Sequence, residues 1–139
     1  MNRDHGVAAA IAGLLLVILV STVPVAYPQN KRLPERPETV SSSTARAYVT
    51  DLETRYQWNR EVDGWFNPVT VNVVRTNVTR HDDGYWVHLE IGVSERTIQS
   101  TGSGFYTVNY FVNQTTTMRA VTGGQHRPGP NPQNGTVVA

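Results

Sequence analysis

Trp86, His88 and Glu90 stand two residues apart within a run, residues 85–95, in which Tyr85, Val87, Leu89, Ile91 and Val93 alternate with them. That spacing puts the three on one face of a strand. A histidine beside a carboxylate can move protons, and an indole beside polar groups can stack on a sugar or a peptide. Asn109, with Arg119, can reach the same face from neighbouring strands. The same residue types also occur on ordinary solvated sheet faces, where cross-strand pairs only steady the sheet.

Other chemistry finds little support. His81, Asp82 and Asp83, with His88, offer too few ligands for a metal, since hard cations want several oxygens and zinc wants three or four donors. We therefore expect no metal and no cofactor. The chain holds no cysteine, which removes thiol catalysis, thiolate metal sites and disulfides together. No glycine-framed serine resembles a nucleophile elbow. Gly102-Ser103-Gly104 has no helix after it, so it is no phosphate loop. A net charge of +1 without a basic cluster argues against nucleic acid as a partner. The expectation is a protein that is not an enzyme.

The elements that would position these residues follow from periodicity. In residues 44–62, Ala45, Tyr48, Val49, Leu52 and Tyr56 make one stripe of an amphipathic helix. Ser41 to Thr44 supply an N-cap, Asp51 and Arg55 pair one turn apart, and Gly64 is the expected C-terminal stop. Val69, Val71 and Val73 alternate, then Val74 shifts the phase toward Thr76 and Val78, as a β-bulge does. His81-Asp82-Asp83-Gly84 reads as a hairpin turn. Strands are expected at 85–95, at 105–112 with Tyr106, Val108, Tyr110 and Val112 inward, and at 115–122. The spacing thus predicts an α+β domain over 44–122, one helix on a four-stranded antiparallel meander, its outer face wet. Residues 123–139 read as a disordered tail, and 28–43, with three prolines among charges, as an extended linker.

Ahead of the domain, a polar head, residues 1–6, precedes an uncharged stretch, residues 7–27. Its length suits either a signal segment or a bilayer span. Cleavage after Ala26 would put Pro24 at −3, and cleavage after Ser21 would put Leu19 there, so a retained transmembrane anchor is expected. Lys31, Arg32 and Arg36 after the span, against Arg3 before it, lean toward a cytoplasmic domain. The sequons at Asn77, Asn113 and Asn134 lean the other way, as candidate glycosylation sites. The orientation adopted is single-pass in the cell membrane with the domain extracytoplasmic.

The helix with Tyr48, Leu52, Tyr56 and Asn59, then Trp65, the Asp82-Asp83-Gly84-Tyr85 hairpin and Tyr110-Phe111-Val112-Asn113, resembles small membrane-anchored or exported haloarchaeal proteins. Their helix-on-curved-sheet layout is similar to the cystatin-like and nuclear-transport-factor-like folds. That resemblance covers about residues 44–122 and implies no catalytic residues. The expected function is a membrane-tethered binding or structural module of the cell envelope, engaging the membrane through residues 7–27 and another envelope protein through Trp86, His88, Glu90 and Asn109. The alternative is a small-molecule or enzymatic pocket between helix and sheet, lined by Tyr48, Tyr56, Tyr85 and Tyr110.

Overall fold

A computed structural model describes residues 29–62, 68–96, 99–123 and 129–139 of the chain. Among the described residues one helix, α1 (Ser42–Glu61), precedes strands β1 (Val69–His81), β2 (Gly84–Arg96), β3 (Thr101–Val112), β4 (Thr117–Gly123) and β5 (Thr136–Val137). The strands form one antiparallel sheet in the order β1-β2-β3-β4-β5. The expectation of four strands is one short.

Helix α1 begins where the serines place it. Ser41 accepts from the Thr44 amide, and the Thr44 hydroxyl accepts in turn from the Ser41 amide, a reciprocal cap. The Asp51–Arg55 pair forms at 2.7 Å. Only the first half of the buried face is apolar: Ala45, Tyr48, Val49 and Leu52 are followed inward by Glu53 and Gln57. Gly64 lies outside the described residues.

The sheet is registered largely as its alternation dictates. Val73 pairs with Ile91 and Arg75 with Glu90, so Val74 is the extra residue of a bulge and stands exposed. The Asp82-Asp83 turn closes the β1–β2 hairpin, with His81 opposite Gly84. A Cβ at Gly84 would lie 2.5 Å from the Val112 carbonyl oxygen and 2.9 Å from the Phe111 ring, so no larger residue fits there. Val87, Leu89, Ile91, Val108, Tyr110 and Val112 face α1 and, with its apolar stripe, make the core.

Two segments behave differently from their composition. Residues 129–139 are not a disordered tail. Pro132–Asn134 form a 3-10 turn, Pro132 is buried, and β5 pairs Val137 with Met118 and Thr136 with Arg119. Gly135 is needed there, because a Cβ would come within 2.2 Å of the Arg119 carbonyl oxygen. Gly123, placed in the tail by composition, closes β4. Nor is the whole linker a free spacer. The Asn59 side chain accepts from the Lys31 amide at 2.7 Å and donates to the Lys31 carbonyl at 2.8 Å. Arg55 donates to the Arg32 carbonyl at 2.8 Å. Among the described residues no helix is long and apolar enough to cross a membrane. The expected anchor, residues 7–27, lies outside them.

Candidate functional site

The register sets the outer face in rows. Arg75, Glu90, Thr107 and Thr122 stand side by side, then Asn77, His88, Asn109 and Ala120, then Thr79, Trp86, Phe111 and Met118. The four nominated residues therefore do come together. His88 Nδ1 lies 2.7 Å from Asn109 Oδ1, and Asn109 Nδ2 donates to the Pro130 carbonyl at 3.0 Å. A carbonyl can only accept, so it fixes which way the amide points. The oxygen then faces His88, whose Nδ1 must carry the proton. His88 Nε2 is left facing Glu90 at 4.0 Å, and Arg75 stands 3.7 Å from the same carboxylate oxygen. Trp86 stacks on His81 with ring centroids 4.1 Å apart.

This face is not the wet one that alternation suggests. Glu90 is 3% exposed, Asn109 8% and Phe111 3%. Alternation counts only what a strand itself contributes, whereas here residues from Gly129 onward return over β3. Gly129 sits so close that a Cβ would lie 2.5 Å from the Asn109 amide. What stays open is a groove of about 680 Å³ beside that segment, lined by Arg75, Thr76, Asn77, Thr79, Trp86, His88, Asn109 and Gly129. It offers a cation, amides, hydroxyls and an indole, the groups that bind polar ligands by hydrogen bonds and stacking.

His81 and His88 do not share a site. His81 closes the hairpin, while His88 lies four residues along β2 from its partner Gly84, about 13 Å away. Among the described residues no three His, Cys, Asp or Glu side chains are placed to hold a metal. Of the sequon residues, Asn77 is exposed beside the groove and Asn134 is exposed at the end of the 3-10 turn. Asn113 is half-buried, its side-chain oxygen accepting from the Thr115 and Thr116 amides and the Thr115 hydroxyl.

The other face holds a cluster that the sequence reading missed. Glu53 of α1 is fully buried. Its Oε2 accepts from Arg119 Nε and its Oε1 from Arg119 Nη2, both at 2.8 Å. Tyr106 donates to Oε1 at 2.5 Å, and Tyr110 donates to Oε2. Four donors thus meet one carboxylate. Arg119 also covers the Tyr56 ring, 4.5 Å from its centroid. It stands opposite Tyr110, on the helix side, and so does not join the His88 row. Burial pushes both tyrosines above their usual range, and the charge and hydrogen bond of Glu53 add to it. Burial alone would lower Arg119, but the hydrogen bond and charge of Glu53 outweigh it, and its pKa rises. A signal was present: Glu53 extends the series Ala45, Val49 by one more step of four.

The tyrosines expected around an interior pocket are otherwise engaged. The Tyr110 hydroxyl is spent on Glu53, Tyr48 pairs with the Thr117 hydroxyl at 3.3 Å, and Tyr56 lies under Arg119. Tyr85 lines a separate cleft of about 340 Å³ at the hairpin tip, with Asp82, Asp83 and Asn113. No protein-family model matches the chain, and no curated protein or solved structure is significantly similar to it.

Proposed function

We propose that the chain is a non-enzymatic binding module of the cell envelope, tethered by residues 7–27, that presents the groove on its outer sheet face to another envelope protein. The domain is extracytoplasmic and single-pass, and nucleic acid is not its partner. The likeness to membrane-anchored haloarchaeal proteins belongs to the same reading.

The observation that carries it is the groove itself, where exposed Arg75, Asn77 and Thr79 border the Trp86, His88 and Asn109 cluster. Supporting it over an interior pocket is the spending of the Tyr48 and Tyr110 hydroxyls on internal bonds. Gentle detergent extraction of native membranes tests the reading. The full chain should run on a native gel in a complex larger than its own monomer. Thr79→Trp, which fills the groove from an exposed position, should return it to monomer. A wild-type monomer, or a complex indifferent to Thr79→Trp, contradicts the proposal.

A further inference from the structure

The docked linker changes the geometry of the tether. As a free extended spacer, residues 28–43 would let the domain stand up to about 55 Å from the end of the span. Instead the chain is captured at Lys31 by both hydrogen bonds of Asn59, and again at the Arg32 carbonyl by Arg55. Only residues 28–30 remain between Tyr27 and the captured position. Four Cα steps reach about 14 Å.

That short reach also selects which end of the domain is near. Asn59 lies in the last turn of α1. The Asp82-Asp83 hairpin tip shares a cleft with Val40, beside the first turn, about 26 Å away along the helix. The near end carries groups suited to a lipid surface. Lys31 Nζ stands 4.3 Å over the Trp58 ring, and the Arg32 and Arg60 side chains are 84% and 65% exposed. Arg32 pairs with Glu35 and Arg60 lies 3.8 Å from Glu61, which leaves the Lys31 ammonium in excess over these two carboxylates. Tryptophan and basic side chains favour the headgroup layer, and attraction to anionic lipid acts within a Debye length, about 8–10 Å.

We infer that the C-terminal end of α1, with Lys31, Arg32, Trp58 and Arg60, docks on anionic lipid headgroups and holds the domain flush against the membrane. The inference rests on residues 7–27 being a retained anchor. The hairpin tip then points away from the bilayer.

The absence of cysteine makes single-site labelling clean. The full chain is reconstituted into vesicles of mixed zwitterionic and phosphatidylglycerol lipid carrying a headgroup-attached quencher. A fluorophore is placed on Arg60→Cys or on Asp83→Cys. Quenching at position 60 should exceed that at 83 at least fivefold. It should fall when Asn59→Ala opens the clamp and when phosphatidylglycerol is left out. Equal quenching at the two positions in anchored protein overturns the docking while leaving the anchor standing. Quenching at 60 that ignores phosphatidylglycerol overturns the headgroup contact. A chain that does not float with the vesicles overturns the anchor, and this inference with it.

Discussion

The Glu53 carboxylate takes both 2.8 Å hydrogen bonds of the Arg119 guanidinium, across 66 residues of sequence and the whole thickness between helix and sheet. The second half of α1 has little apolar surface to bury, so this ion pair is what fastens it to β4. Removing one partner leaves the other charge buried without compensation, which costs about 3–5 kcal/mol. Glu53→Ala and Arg119→Ala should each lower the unfolding free energy by about that amount in urea titrations. The pair Glu53→Leu with Arg119→Met should recover part of it, since it leaves no buried charge behind while the Tyr106 and Tyr110 hydroxyls lose their acceptor.

Tyr106 and Tyr110 give the fold an alkaline limit. Their folded pKa values lie above the usual 10.0 because they are buried and face Glu53. Below about pH 10 both states keep these protons and the contribution is complete. Above it the unfolded chain releases protons that the folded chain retains, so stability falls as pH rises. Urea midpoints should drop beyond about pH 10. Tyr110→Phe should leave the tyrosinate absorbance that appears near pH 10 in the folded protein unchanged.

Trp86 combines a stacked ring with an indole N–H that is buried without a hydrogen-bond partner among the described residues. Phenylalanine keeps the ring over His81 and deletes that donor, so Trp86→Phe should cost less than about 1 kcal/mol. Trp86→Ala loses the stack and should cost about 2–3 kcal/mol, below the range of a fully buried tryptophan. Paired chemical denaturation curves decide it; a Phe variant as damaged as the Ala variant would mean that the N–H is satisfied in solution.

Gly135 governs the C-terminal cover. A side chain there meets the Arg119 backbone, so Gly135→Val should lift residues 129–139 from β4 without unfolding the core. Hydrogen exchange should speed at the Val138 amide, which bonds the Thr117 carbonyl at 2.9 Å. Amides in the middle of β2 should keep their protection.

Much of the fold was legible because short-range rules suffice for it. The Ser41 cap, the Val74 bulge, the Asp82-Asp83 turn and the inward set from Val87 to Val112 are each fixed by neighbours within a few residues. The convergence of Trp86, His88, Glu90 and Asn109 was legible too, through strand parity. What escaped was long-range. Residues 129–139 carry no periodicity, and their glycines and prolines suggest disorder. Yet Gly129 and Gly135 are small because they press against Asn109 and the Arg119 backbone. Glu53 was hidden by its polarity: a carboxylate on an apolar stripe reads as the end of that stripe until Arg119 is seen across from it. The linker looked extended because prolines forbid helix, whereas its capture by Asn59 depends on a residue 28 positions away.

The central claim is that the outer groove is the working surface, and site-specific photo-cross-linking in native membranes tests it most directly. A photoreactive residue is placed at Thr79, in the groove, or at Arg46, exposed on α1. The account predicts a discrete protein adduct from position 79, none from position 46, and loss of the adduct when Arg75→Ala is added. An adduct from 46 and none from 79 would contradict it.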